Sequence, residues 1–280
     1  MSYQILNLRP LGSGGNGDIY IGQRSDNGAN VVVKFLREAH LPHARKAFIR
    51  EVRILQRKLR GLIPLLFANA AAERPYYVMP YLEGGTLAQY AGILTDNQLR
   101  AVAVELAHTL AKLHEAYEAH GDVKPDNILV TRDGKLQVAD PLGNGTLFTI
   151  LFSENRGGTP GYWAPEICRG GSISRAADIY SYGATMYHLL TGRRPVDGKR
   201  LDASSEGYVN APTIREVIAA CCQLESGLRP SMSEVLRMLR GEDWADIQVV
   251  RKQRQELVGL SVVGGLLLLA VSVLRQKTHP

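Results

Sequence analysis

The stretch HGDVKPDNILV, residues 120–130, puts an aspartate, a lysine and an asparagine within six positions and then runs into an apolar strand. Asp122 stands five residues before Asn127, and Asp140 ends the next apolar run. An aspartate base, an amide oxygen and a second carboxylate can together hold Mg²⁺ and accept a hydroxyl proton. Phosphoryl transfer needs such a set, because most of its catalysis is positioning and charge neutralisation. Each residue alone has a plain loop-capping explanation. The ordered set leaves far less room for one.

Upstream, the segment GSGGNG at 12–17 supplies Gly12, Gly14 and Gly17, followed by Ile19. Glycines let a backbone approach phosphates closely, although this spacing alone also fits a hairpin turn. A dinucleotide fold would open a helix at the glycines. Here DIYIGQ continues as a strand, which suits a flap over a nucleotide. Lys34 ends the β-branched run VVVK, where its ammonium could reach phosphates or simply sit solvated at a strand edge. Glu51, on the following amphipathic stretch, is its expected ion-pair partner. Glu38 competes, but it lies too close to the strand end to share that helix face.

The 280 residues can bury one large core or two modest lobes. With 45% apolar and 21% charged residues, wholesale disorder is excluded. A formal charge of +6 suits an anionic partner without choosing one. Cys168, Cys221 and Cys222 show no metal-ligand spacing and read as reduced thiols. MSYQILNLRP carries no export signal pattern. Residues 257–274, LVGLSVVGGLLLLAVSVL, carry no charge and would form a helix about 27 Å long, enough to span a bilayer core. Arg251, Lys252 and Arg254 precede that run, and Arg275 and Lys277 follow it, a bias that keeps the N-terminal domain in the cytoplasm. Ser261, Gly264 and Gly265 would allow close helix pairing and a homodimer.

The first ~90 residues read as strand, glycine turn, strand, Asp-Asn-Gly turn and strand, then a helix with Phe48, Val52, Leu55 and Leu59 in phase. YYVMPYLEGG is a further strand ending in glycines. Beyond Gly92 the pattern is helical: Leu99, Val102, Leu106, Leu110 and Leu113 form a stripe between Gln98 and Tyr117. Helices are also expected at Ile179–Leu190 and Ile214–Leu224, and a capping box at Ser231 and Glu234. The predicted fold class is α+β, with a small β-rich lobe, a larger helical lobe and a seam near Leu82–Gly85.

In this order, the glycine loop, Lys34, Glu51, HGDVKPDNIL and Asp140 resemble the eukaryotic-like serine/threonine protein kinases. The resemblance runs from about Leu6 to Gly241 and continues through GTPGYWAPE (158–166), DIYSYG (178–183) and LRP (228–230). It implies a kinase domain over 1–243, with lobes at about 1–82 and 83–243, a basic linker at 244–256, a membrane helix at 257–274 and a tail at 275–280. ATP and Mg²⁺ would be the cofactors. Gly12, Gly14 and Gly17 would cover the phosphates, with Ile19 in the same nucleotide site. Lys34 would bind the α- and β-phosphates, held by Glu51. Met79 would be the gatekeeper, while Pro80 would offer its carbonyl and Leu82 its N–H to adenine. Asp122 would be the catalytic base and Lys124 would steady the γ-phosphate. Asn127 and Asp140 would bind the metal. Asp178 would brace the catalytic loop, and Glu166 would pair with Arg229.

Lys124 and the Gly-Thr-Pro segment imply serine or threonine hydroxyls of a protein substrate, with no nucleic-acid partner. Small-molecule phosphotransferases share His-Gly-Asp but lack the peptide-docking segment. Three departures stand out. Gly121 replaces an arginine that pairs with a phosphorylated activation loop in many members, so activity independent of phosphorylation at Thr146, Thr149 or Ser153 is expected. Asp-Pro-Leu-Gly at 140–143 replaces Asp-Phe-Gly, removing the ring that links this loop to the helix bearing Glu51. Val32 stands where an alanine usually floors the adenine pocket. A membrane-anchored scaffold without catalysis is the alternative function.

Overall fold

The computed structural model describes residues 3–14, 17–116, 118–141, 161–204 and 206–253. The chain divides into two units, Met1–Leu239 and Arg240–Pro280. In the second, residues 244–253 are helical. No helix among the described residues is long and apolar enough to cross a membrane. The expected span at 257–274, the end of the linker before it and the tail at 275–280 lie outside the described residues, as do Thr146, Thr149 and Ser153.

The first unit opens with five antiparallel strands: β1 (Ile5–Gly14), β2 (Gly17–Arg24), β3 (Asn30–Leu36), β4 (Phe67–Asn69) and β5 (Tyr76–Pro80). Their order across the sheet is β1-β2-β3-β5-β4. The strand–turn–strand pattern is borne out, with Gly28 at φ +70° in the Asp-Asn-Gly turn, where a left-handed backbone favours glycine. Helix α1 (Pro42–Gln56) begins with the proline at its first turn, where a missing N–H costs nothing. It lays Ala44, Phe48, Val52 and Leu55 against Val32, Leu36, Tyr77 and Met79 of the sheet. Burying each large apolar side chain contributes about 1.5–3 kcal/mol.

The helix stops before Leu59, contrary to the periodicity. Lys58 turns left-handed at φ +52°, and Gly61 follows at φ +91°. A Cβ on Gly61 would come within 1.9 Å of Thr109 Oγ1, so the glycine is needed for the chain to pass the helical lobe that closely. The tight crossing outweighs one more apolar residue in phase.

After β5, within the expected seam at Leu82–Gly85, Gly84 N–H donates to Val130 O (3.1 Å) and Val130 N–H to Gly85 O (2.9 Å). The helical lobe contains α2 (Asp96–Glu115), the hairpin β6 (Ile128–Val130) and β7 (Leu136–Val138), α3 (Pro165–Cys168), α4 (Arg175–Thr191), α5 (Pro212–Cys221) and α6 (Met232–Leu239). Helix α2 starts two residues before the expected Gln98, because Thr95 and Gln98 form a reciprocal cap. Leu99, Leu106, Leu110 and Leu113 of its stripe are buried, and Val102 is half-buried. Helix α4 is buried along most of its length and forms the lobe's axis. Gly183 lets α5 approach: a Cβ there would lie 2.7 Å from Cys221 Cβ and Cys222 Sγ. All three cysteines are free thiols, and the adjacent pair fills the α4–α5 contact. The predicted cap at α6 is present, with Ser231 N–H donating to Glu234 Oε2 (2.6 Å) and Glu234 N–H to Ser231 Oγ (3.3 Å).

Candidate active site

Antiparallel register sets the first half of the site. Lys34 on β3 lies opposite Tyr77 on β5, and Val32 lies opposite Met79, so all four share one face. That face meets α1, whose inner stripe includes Glu51. Lys34 Nζ donates to Glu51 Oε1 (2.8 Å) and to Asp140 Oδ1 (2.8 Å). Glu51 rather than Glu38 is the helix partner, as the spacing required. Tyr77, which the sequence reading passed over, donates toward the same two oxygens, at 2.8 Å from Glu51 Oε1 and 3.2 Å from Asp140 Oδ1.

Two carboxylates thus face one ammonium in a buried setting. Burial opposes the charge on Lys34, but Asp140 and Glu51 outweigh it and hold the ammonium's pKa above its usual range. Burial pushes Glu51 upward, and the neighbouring Asp140 adds to this against the pull of Lys34. For Asp140, whose side chain is 22% exposed, Lys34 outweighs burial and the pKa falls. Burial beside both carboxylates raises Tyr77, keeping its hydroxyl a donor.

Gly14 pairs with Gly17 and Gly12 with Ile19 where β1 and β2 converge; residues 15 and 16 of the loop lie outside the described residues. A Cβ on Gly17 would come within 2.8 Å of Phe35 O and 3.0 Å of Lys34 Cγ, whereas Gly12 faces open space. Ile19 and Leu82 pack at the margin of the apolar cluster that holds Val32, Met79 and Ala139, with Leu129 beside them. Pro80 ends β5 opposite Val31. Leu82 N–H has no acceptor among the described residues. An apolar slot with one spare backbone donor suits a purine base.

The second half is built on the loop before β6. Lys124 Nζ donates to Asp122 Oδ2 (2.8 Å) and Oδ1 (3.0 Å). Asn127 Nδ2 donates to Asp122 Oδ2 (2.7 Å) and to its carbonyl (2.9 Å). Ala139 N–H donates to Asn127 O (2.8 Å), and His120 Nε2 lies 3.0 Å from Ala139 O, so two contacts join this loop to the end of β7. Asp140 sits at φ +55°, a left-handed conformation that aspartate tolerates better than most residues. With Asn127 Nδ2 spent on Asp122, its amide oxygen is the end left to accept; it and the Asp140 carboxylate are both hard oxygens of the kind Mg²⁺ takes.

Asp178, near the start of α4, accepts from the backbone N–H of His120 (2.7 Å) and Gly121 (2.8 Å) and lies 2.9 Å from His114 Nε2. Gly121 holds φ +80°. Farther on, Glu166 and Arg229 form a two-pronged pair at 2.6 and 2.8 Å. Of the Gly-Thr-Pro segment, 158–160 lie outside the described residues. The adjoining Gly161 and Trp163 N–H groups both donate to Asp197 Oδ1, at 2.6 and 3.1 Å. Tyr77 and His114 were missed, although the alternation in YYVMP places Tyr77 on the face of Met79 and could have disclosed it.

A five-stranded sheet and a helical lobe, meeting at Lys34–Glu51–Asp140 above Asp122–Lys124–Asn127, define a bilobal kinase-like fold. Residues 5–239 match the protein kinase domain, and the chain belongs to that family. It is 31% identical to the serine/threonine-protein kinase PrkC of Bacillus subtilis over 75% of this chain and 34% of that protein. It is 33% identical to the serine/threonine-protein kinase Pkn1 of Myxococcus xanthus, over 70% and 30% respectively. It is also 30% identical to the LRR receptor kinase SERK2 of rice, Oryza sativa subsp. japonica, over 88% and 48%. The chain spans about half or less of the length of these relatives.

Proposed function

We propose that the chain transfers the γ-phosphoryl group of ATP, with Mg²⁺, to serine and threonine hydroxyls of proteins. The observation that carries this reading is the pairing of Lys34 with both Glu51 and Asp140 at 2.8 Å, across a sheet, a helix and the end of β7. Asn127 and Asp140 would hold the metal, which neutralises charge on the phosphates. Gly12, Gly14, Gly17 and Lys34 would bind the phosphates. Ile19, Met79, Pro80 and Leu82 would seat the base.

Asp122 would take the hydroxyl proton. Its Oδ2 already accepts from Lys124 and Asn127, which leaves Oδ1, with one longer bond, as the receiving atom. Lys124 beside it would steady the transferring group. The serine/threonine names of PrkC and Pkn1 support the substrate class. The charge-free run at 257–274 supports tethering to a membrane with the kinase domain on its cytoplasmic side, and Ser261, Gly264 and Gly265 support a homodimer.

Activity would not depend on phosphorylation at Thr146, Thr149 or Ser153, because Gly121 offers no guanidinium to receive it. Full-length chain in detergent, incubated with labelled ATP and Mg²⁺, should label serine or threonine in itself or a generic protein. D122N should lose that label, and alanine at all three activation-loop positions should keep it. Nucleotide binding without transfer would favour the scaffold reading.

A further inference from the structure

Pro141 follows Asp140 and offers no aromatic ring, so something else must fasten the end of β7 to α1. Tyr77 spans that gap. Its ring is fully buried, packed against Phe48 of α1 with centroids 5.8 Å apart. Its hydroxyl lies 2.8 Å from Glu51 and 3.2 Å from Asp140. Lys34 Nζ lies 5.6 Å from the ring centroid, on the same side.

We propose that Tyr77 is a positioning residue of the transfer site, its hydroxyl tying Glu51 on α1 to Asp140 and thereby setting where Lys34 points. This rests on the kinase reading above and extends it to a residue that acts through Glu51 and Asp140. Two carboxylates share one ammonium here, so negative charge is crowded around Lys34 in a largely buried setting. A neutral donor between them offsets part of that charge without competing with Lys34. The hydroxyl has one proton and can donate to one carboxylate at a time. Whichever it serves, the phenol stays within hydrogen-bonding reach of the other. The strand holds the ring from one side and Phe48 from another, so the tie is stiff, and a stiff tie is what a metal ligand and a phosphate-binding lysine require.

The test compares full-length wild type, Y77F and Y76F. Y76F is the control: Tyr76 packs between Phe35 and Phe67, away from these carboxylates. Y77F keeps the ring and removes only the hydroxyl. It should lower kcat/KM by roughly ten- to a hundredfold, the value of a hydrogen bond to a charged group. Hydrogen exchange in α1 should rise while α2 and α4 stay as in wild type, and ADP with Mg²⁺ should bind more weakly than to Y76F. If Y77F matches Y76F in α1 exchange and in ADP affinity, the proposal fails. A Y77F chain that no longer folds would mark the hydroxyl as merely structural and overturn it too. Exchange and ADP binding do not need turnover. A wild type that transfers nothing would therefore sink the kinase reading while still reporting on the tie.

Discussion

Arg229→Leu tests a buried ion pair of the helical lobe. The guanidinium is 2% exposed, and each of its five N–H groups has an acceptor. Nε donates to Gln223 O (2.8 Å), Nη1 to Glu166 Oε1 (2.6 Å) and Ala176 O (2.8 Å), and Nη2 to Glu166 Oε2 (2.8 Å) and Leu224 O (3.2 Å). Leucine would strand one carboxylate and three carbonyls. Breaking a buried pair by removing one partner costs about 3–5 kcal/mol. Glu166 is 27% exposed and can regain water, which places the expected cost near the lower end, at about 3 kcal/mol. For a domain of this size that lowers Tm by roughly 6–12 °C. Differential scanning calorimetry of R229L beside wild type measures it. Glu166→Gln should lose less, because the amide can still accept from the arginine. An R229L shift under about 2 °C would refute the claim that these five bonds anchor the lobe. A shift of the expected size with kcat/KM preserved well below the melt would show the pair to be scaffolding rather than machinery.

The same pair predicts a pH effect. Burial raises Glu166, but Arg229 outweighs it, and the folded pKa lies below the ordinary glutamate value. Its contribution is therefore complete above the unfolded value of about 4.3 and is lost as pH falls through the lower folded value. Urea midpoints measured downward from pH 5 should fall more steeply for wild type than for E166Q, and parallel curves would contradict this. Gly121→Ala should cost about 1–2 kcal/mol, because φ +80° is a left-handed backbone that alanine resists. G121N should cost less, since asparagine visits that region, and equal melting of all three chains would remove the strain argument. Gly17→Ala should raise the KM for ATP more than Gly12→Ala. Its Cβ would press on Phe35 O at 2.8 Å, a strain of about 1–3 kcal/mol, whereas the space at Gly12 is open.

The bilobal architecture was legible because its elements announce themselves locally. β-branched VVVK, the Asp-Asn-Gly turn and the leucine stripe of α2 each carry their own period or punctuation. Lys34 and Glu51 could be paired from 17 residues of separation because a strand followed by an amphipathic helix leaves few geometries. Leu59 misled because helical phase is blind to a left-handed turn imposed by a crossing at Gly61. Thr95 and Gln98 form the same kind of cap as Ser231 and Glu234 but went unread, since Thr-x-x-Gln is a weaker signal beside a stripe that dominates the eye. Tyr77 was invisible as a site residue for another reason. A tyrosine in an apolar strand reads as core, and its hydroxyl partners, Glu51 and Asp140, stand 26 and 63 positions away.

Gly121 gains a second meaning from the backbone. As a letter in the sequence it signified a lost arginine, and hence a lost response to activation-loop phosphorylation. In the fold it occupies a left-handed turn whose N–H, with that of His120, is held by one carboxylate of Asp178. Glycine adopts that turn without steric cost, and Asp178 holds its N–H from within the lobe. At the other end of the site, Tyr77 ties Glu51 to Asp140 without a ring at position 141. Both positions point in the same direction: at each, a contact internal to the described strands, helices and loop stands where the family resemblance led us to expect a different side chain. A site fixed from within would be expected to stay assembled whether or not its activation segment is modified, which is why the triple-alanine chain and Y77F are complementary tests. The first removes the external input and should change little. The second removes the internal tie and should change much.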